Sequence, residues 1–272
     1  MSKHILLVHD LAGYGKVSLS AMMPVLSHMG HHLYTLPTAL VSNTLDYGKF
    51  YIQETTEYMR QSLKVWAELG FSFDVVSTGM ILSAEQAALV SDFCEQSAKK
   101  GALVFVDPIM GDEGKLYNGV GEETVAHMRK MVAVADCIVP NYTEAAYLAD
   151  MPYHEDMTEE EARALTIRLH AMGAKSVVVT SAKVDGENCV VGYDGMEGEF
   201  FRIPFDLIPV RFVGTGDIFA AVMLGRLVDG VPLQESTHRA MDAVRTMIDR
   251  NRDKEDKYLG IPIETCLEVL DE

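Results

Sequence analysis

The chain's 272 residues leave room for a large buried core, and 48% apolar with 23% charged residues are globular values. A formal charge of −17, with lysines and arginines scattered rather than clustered, argues against nucleic-acid binding. No apolar run is long enough to span a membrane, no signal-peptide pattern precedes the first strand, and four cysteines show no CxxC or zinc spacing, so a cytoplasmic protein with no membrane partner is expected.

His4-Ile5-Leu6-Leu7-Val8-His9 is a short continuous apolar run, the mark of a strand buried on both faces. It gives way to Asp10-Leu11-Ala12-Gly13-Tyr14-Gly15, and a helical pattern begins near Ser18. Loops at the carboxyl ends of parallel strands line ligand crevices, although this spacing fits neither GxGxxG nor a Walker loop. Leu33 to Val41 reads as a second strand that ends in a polar loop, Ser42 to Gly48. A helix from about Thr55 to Leu69 follows, with Trp66 on a packing face. Phe73 to Gly79 is a third strand, and Ser83-Ala84-Glu85-Gln86 opens a helix in capping style. Ala102 to Val106 is a fourth strand, delivering Asp107-Pro108-Ile109-Met110-Gly111-Asp112 to its carboxyl end. Glu113 to Gly121, with Gly111, Gly114, Gly119 and Gly121 in or beside it, reads as a mobile flap.

Asp136 to Val139 is the next strand, stopping at Pro140-Asn141-Tyr142-Thr143-Glu144. Asn141 and Glu144 fall three apart on a starting helix and share a face; a simple capped helix start is the plain alternative. Thr158 begins a helix through about Met172 whose acidic first turn suits the helix dipole. Ser176 to Ser181 is a buried strand, and Cys189–Tyr193 with Glu199–Ile203 read as an antiparallel pair turned at Asp194-Gly195. Val213-Gly214-Thr215-Gly216-Asp217 then opens an apolar helix, two helices are expected from about Pro232 to Arg250, and a terminal segment starts at Pro262. Strand and helix alternate throughout, so a mostly parallel sheet covered by helices on both faces is expected, as one domain over residues 1–272.

A glycine-rich turn that opens a helix leaves backbone N–H groups unpaired at the positive end of the dipole, which makes an anion site. Asp217 at its mouth is placed to take a proton from a hydroxyl near the bound anion; a helix capped by Thr215 or Asp217 is the alternative. Asp107 with Asp112, and Asn141 with Glu144, offer oxygen ligands of the kind Mg2+ takes, partly through water and partly through phosphate. Together with Thr180, Ser181 and the Gly214–Asp217 turn, they spell phosphoryl transfer from a nucleotide without a Walker loop.

The blocks Val213 to Asp217, Asp107 to Asp112 and Pro140 to Glu144 resemble the signatures of the ribokinase-like superfamily. Thr78-Gly79-Met80-Ile81-Leu82-Ser83-Ala84-Glu85-Gln86 and Gly114-Lys115-Leu116-Tyr117 are similar to the pyridoxal/pyridoxamine kinases within it, and the likeness covers nearly the whole chain. The resemblance implies a three-layer α/β/α fold and ATP- and Mg2+-dependent phosphorylation of a hydroxymethyl group on a vitamin B6 pyridine. It implies Asp217 as the base and the amides of Gly214, Thr215 and Gly216 as the anion hole. Asn141 and Glu144 would organise Mg2+ and its waters, with Asp107 near metal and phosphates. Asp112 and Tyr117 would lie in the flap over the phosphates, Thr180 and Ser181 near the nucleotide, and Asp10, Val17 and Val41 with Asp217 on the acceptor's side. A homodimer is expected on the same ground.

The acceptor end departs from the better-known pyridoxal kinases. Asp10 stands where they carry serine, Leu45 aligns with their threonine (Thr44 is adjacent), and Met80 aligns with a tyrosine that covers the ring. Asp10 and Gly79-Met80 are closer to hydroxymethylpyrimidine kinases, which however carry cysteine where this chain has Asp217. A hydroxymethylpyrimidine acceptor, and a non-catalytic vitamer-binding protein, therefore stand as alternatives. Asp10 is read either as a partner for a ring nitrogen or hydroxyl, or as a cap on the helix that follows.

Overall fold

A computed structural model describes residues 2–117 and 120–271, which group into two compact units, 1–75 with 208–272 and 76–207. The strands form a central sheet, mostly parallel and flanked by helices, as the alternation of elements requires.

In the first unit β1 (His4–Val8) runs parallel to β3 (His32–Thr35), with His4 opposite His32 and Leu7 opposite Thr35. Between them lie β2 (Leu11–Ala12) and helix α1 (Leu19–His28). The single strand expected over Leu33–Val41 is broken. Pro37 has no N–H for a ladder, and the chain leaves the central sheet there. Beyond it β4 (Ala39–Val41) joins a small separate sheet, parallel to β2 and antiparallel to β5 (Ile52–Glu54). Helix α2 (Thr56–Glu68) follows, and Trp66 packs edge-on against Phe73 at 5.8 Å between ring centroids.

The second unit begins with β6 (Val75–Thr78), α3 (Ala84–Lys99) and β7 (Leu103–Val106). A tight hairpin, β8 (Gly111–Asp112) with β9 (Lys115–Leu116), precedes α4 (Glu122–Val132), β10 (Cys137–Ile138), α5 (Tyr142–Ala149) and α6 (Glu159–Ala171). Then come β11 (Ser176–Val184), β12 (Glu187–Asp194) and β13 (Glu199–Pro204). Strand order in this unit is β13-β12-β11-β10-β7-β6; β10 is parallel to both neighbours, and β12 is antiparallel to both β11 and β13. The turn expected at Asp194-Gly195 is longer than two residues. Asp194 Oδ1 accepts the amides of Met196 and Glu197, and Gly198 closes the loop with a φ of 73°. The strand expected to end at Ser181 continues to Val184 past a bulge.

The chain returns to the first unit through α7 (Thr215–Val228) and α8 (Leu233–Asn251). One 19-residue helix replaces the two expected after Pro232, because no Pro or Gly interrupts the stretch. Residues Ile218 to Gly225 of α7 are all buried. The lack of a side chain at Gly225 lets α7 lie close on α1, since a Cβ there would come within 2.4 Å of Met29 Cε. Gly225→Val overpacks this contact and is expected to cost about 1–3 kcal/mol, read as a lowered midpoint in urea unfolding.

Candidate active site

Gly214 carries φ 79°, and a Cβ on it would stand 1.9 Å from the carbonyl oxygen of Lys16. Only glycine can turn the chain there and let it press on that backbone. The turn leads directly into α7, with no side chain capping it. Ile218 N–H makes the first intrahelical bond, to Gly214 O at 3.0 Å. The amides of Gly214, Thr215 and Gly216 have no acceptor among the described residues and are open to an anion. The Thr215 hydroxyl turns back to Phe212 O, so it does not cap the helix.

Asp217 sits in the first turn, half-buried, where its carboxyl is pushed up to about 7. Burial is the main cause; the Ser18 N–H pulls it down, and the charge of Asp10 pushes it further up. Asp10 is buried and its carboxyl is raised by desolvation, against a hydrogen bond donated by the Ser18 hydroxyl. The capping alternative for Asp10 fails: no side chain caps α1, and it is Asp10's carbonyl that accepts the Leu19 amide. Val17 borders Gly214, its Cγ1 lying 3.4 Å from where a Cβ would stand, while Val41 is buried in β4.

The loops around this corner are stitched by the segment before Pro262. Leu259 O accepts the Lys16 amide, Tyr258 O accepts the Thr44 hydroxyl at 2.8 Å, and the Tyr47 hydroxyl donates to Asp256 at 2.6 Å. Lys16 and Glu264 form an ion pair. Thr44 is buried with its hydroxyl committed to that carbonyl. Sequence reasoning missed this segment and Ser18, because carbonyl acceptors leave no residue-type signature; the one clue was Ser18's position at a helix start.

In the second unit the Asn141–Glu144 pair forms the capping box that was its plain alternative. Asn141 Oδ1 accepts Glu144 N–H at 3.0 Å, and Glu144 Oε2 accepts Asn141 N–H at 2.9 Å. The box also reaches across to the loop after β7. Glu144 Oε1 accepts Met110 N–H at 2.9 Å and Gly111 N–H at 3.5 Å, and Asn141 Nδ2 donates to Gly111 O at 2.7 Å. Glu144 is buried, and its carboxyl is raised by desolvation, with the charge of Asp112 adding to the rise. Thr180 lies beside Asn141 through a parallel bridge, and its amide donates to Pro140 O. Ser181 next to it has φ 55°, so the bulge in β11 sets Thr180 and Ser181 at this corner at the cost of a left-handed residue.

Asp107 is half-buried, its amide bonded to Thr78 O. Asp112 heads the β8–β9 hairpin, whose turn residues Glu113 and Gly114 both have positive φ. Thr143 Oγ1 accepts the Gly114 amide at 2.8 Å, which pins the start of the expected flap to α5. Tyr117 is exposed at the hairpin's far side, and Gly119 lies outside the described residues. The second unit thus gathers Asp112, Asn141, Glu144 and Thr180, and the first gathers Asp10, Val17, Gly214, Thr215, Gly216 and Asp217. Among the described residues no three acidic, histidine or cysteine side chains form a metal cage. No helix among them is long and apolar enough to cross a membrane.

Comparison with known proteins fits this arrangement. The phosphomethylpyrimidine kinase family matches residues 19–260. A candidate phosphomethylpyrimidine kinase from Bacteroides thetaiotaomicron has a crystal structure similar over 100% of this chain and 94% of its own, with 35% identity and a TM-score of 0.96; an orthorhombic form of it was determined with pyridoxal. A pyridoxal kinase from Lactobacillus plantarum is 29% identical, with a TM-score of 0.88 over 98% of this chain and 96% of that one. The pyridoxal kinase of Arabidopsis thaliana is 33% identical over 171 residues, which are 60% of this chain and only 53% of that protein. This chain spans about half the length of that curated relative. With the family matched across nearly all its length, the chain belongs to the phosphomethylpyrimidine kinase family of the ribokinase-like fold.

Proposed function

We propose that this protein is an ATP-dependent kinase that phosphorylates the hydroxymethyl group of a B6 vitamer: pyridoxal, pyridoxamine or pyridoxine. The observation that carries the reading is the Asp217 carboxyl beside the open amides of Gly214, Thr215 and Gly216. The acceptor hydroxyl gives its proton to Asp217 as its oxygen bonds to the γ-phosphorus. The bond from that phosphorus to the β,γ-bridging oxygen breaks, and ADP leaves with the electron pair. The three amides take up charge on the migrating phosphoryl group. Asp10, Val17 and Val41 serve the acceptor ring, and Asp107, Asp112, Tyr117, Thr180 and Ser181 serve the nucleotide phosphates. The pyridoxal-containing form of the Bacteroides relative supports the vitamer as acceptor.

Mg2+ suits the residues in the second unit. Both oxygens of Glu144 are held by backbone amides, and its buried charge is unfavourable alone, so a cation nearby would stabilise the ionised form. Asn141 and Glu144 would hold the metal's waters, with Asp107 near metal and phosphates, which suits an ion that keeps several waters. When bound, Mg2+ supplies neutralisation of phosphate charge. A hydroxymethylpyrimidine acceptor is the second reading, favoured by Asp10 and by the family match itself. Four buried free cysteines support a reducing, cytoplasmic setting, and the chain is proposed to act as one kinase domain in a homodimer. The dimer is checked by light scattering, where about twice 30.1 kDa is expected.

Turnover of pyridoxal, pyridoxamine, pyridoxine and hydroxymethylpyrimidine with ATP and Mg2+ separates the two readings; a higher kcat/KM on the pyrimidine would replace the first. Asp217→Asn is expected to keep nucleotide binding while kcat falls by about 10² to 10⁴, the range for a general base. Near-normal turnover in that variant removes Asp217 from its role. Asp217 also affects stability. Its folded carboxyl holds a proton up to about pH 7, against 3.8 ordinarily, so its contribution is full below pH 3.8 and is lost as pH rises through 7. Asp217→Asn avoids that loss, so its Tm relative to the wild type should rise between pH 5 and pH 8, measured by calorimetry.

A further inference from the structure

The first turn of α5 serves more than its own helix. Asn141, Tyr142, Thr143 and Glu144 each bond the backbone of another stretch. Asn141 Nδ2 donates to Gly111 O at 2.7 Å, and the Tyr142 hydroxyl accepts His154 N–H at 3.1 Å. The Thr143 hydroxyl accepts Gly114 N–H at 2.8 Å, and Glu144 accepts Met110 N–H at 2.9 Å. Three of these four bonds land on the β8–β9 hairpin or the residue before it, and the Thr143 bond is the one at its tip. The capping box already satisfies the helix start, so the Thr143 hydroxyl is not needed there. Thr143 is nonetheless only 2% exposed, and a buried hydroxyl needs a partner. Its partner is the hairpin.

The tip has little of its own to hold it. The ladder pairs Gly111 with Leu116 and Asp112 with Lys115, and even a longer isolated hairpin is marginal in water. Inside the turn, Asp112 Oδ1 accepts Glu113 N–H at 2.9 Å. Against Gly114 lies the Tyr153 ring: a Cβ on the glycine would stand 3.0 Å from two of its atoms. Tyr153 in turn stacks on Tyr142, with ring centroids 4.8 Å apart and planes inclined by 27°. The tip is therefore bonded by one residue of α5 and seated on a ring that its neighbour in α5 supports.

We infer that Thr143 is a positioning residue for ATP: its hydroxyl holds the hairpin tip where Asp112 and Tyr117 meet the nucleotide phosphates. This role rests on the reading proposed for Asp112 and Tyr117, because Thr143 acts only through them. A turn already fastened costs little to order when the nucleotide arrives. A turn released from Thr143 is in the binding geometry only part of the time, and the apparent affinity falls by that fraction. The residues proposed for the acceptor, Asp10, Val17 and Val41, lie in the first unit, so affinity for the vitamer should not follow.

The test compares the wild type with Thr143→Val and Thr143→Ser. Valine nearly keeps the shape and loses the acceptor; serine keeps the acceptor and loses a methyl. Hydrogen exchange at the Gly114 amide is followed by NMR, and the Kd values of Mg2+-ATP and of pyridoxal by titration calorimetry. In Thr143→Val the Gly114 amide should exchange faster. The ATP Kd should rise about 3- to 10-fold, the span of one neutral hydrogen bond, with the pyridoxal Kd within about twofold. Thr143→Ser should bring exchange and ATP affinity back near the wild type. Equal weakening of both ligands, faster exchange with an unchanged ATP Kd, or a serine variant that behaves like valine overturns the role. Should Thr143→Val fail to fold, Gly114→Ala displaces the tip from the Tyr153 side, and an unchanged ATP Kd there overturns it too. If Asp112→Ala leaves the ATP Kd unchanged, the nucleotide reading of the hairpin itself fails, a result distinct from slow or fast exchange at Gly114. A wild type that binds ATP yet phosphorylates no vitamer fails the proposed reaction and leaves the Thr143 bond to be judged on the binding data.

Discussion

The approach of Gly214 to the carbonyl of Lys16 is the constraint on which the rest of the first unit depends. It fixes where the polypeptide turns into α7, and hence which amides are left without partners. A Cβ at 1.9 Å from a carbonyl oxygen could not be absorbed by a side-chain adjustment, because both sides of the contact are backbone. From that contact follow the direction of the helix dipole, the position of Asp217 one turn in, and the closeness of Val17. Burial of α7 along Ile218 to Gly225 keeps the geometry from drifting, since the helix has no exposed stretch in that region to slide on.

The second unit solves a related problem by a different route. A buried carboxylate is unfavourable without partners. Glu144 meets that cost by accepting backbone N–H groups from two separate stretches, the start of its own helix and the Met110-Gly111 turn. One side chain thereby caps α5 and ties the loop after β7 to it. The same bonds hold Asp112 at the head of a hairpin whose turn is fastened by Thr143. The cap formed by Asn141 and Glu144 is what gives the loop after β7 a defined place.

Much of this was legible in the residues. Continuous apolar runs marked β1, β7 and β11, and glycine followed by an apolar run marked α7, because burial and helix propensity are local properties. The cap at Asn141 and the helix start at Thr158 read directly from residue type and spacing, and the structure makes each a capping box. What escaped depended on contacts distant in sequence. The chain leaving the central sheet at Pro37 to pair in a separate one, and the bulge at Thr180-Ser181, are outcomes of tertiary pairing. Ser18 escaped for another reason: a serine at a helix start ordinarily means a cap, and only coordinates reveal that its hydroxyl goes to Asp10 instead.

The stitching by residues 256–264 has a consequence for the order in which the molecule becomes competent. Translation produces the Gly13–Lys16 and Ser42–Tyr47 loops early, yet Lys16, Thr44 and Tyr47 find their partners only in Asp256, Tyr258, Leu259 and Glu264, more than two hundred residues later. A nascent chain still lacking that stretch would have the strands but not the fastened loops, so the corner around Lys16 and Thr44 would form only after synthesis had passed Glu264. The loops that are translated first would thus be among the last to be fastened.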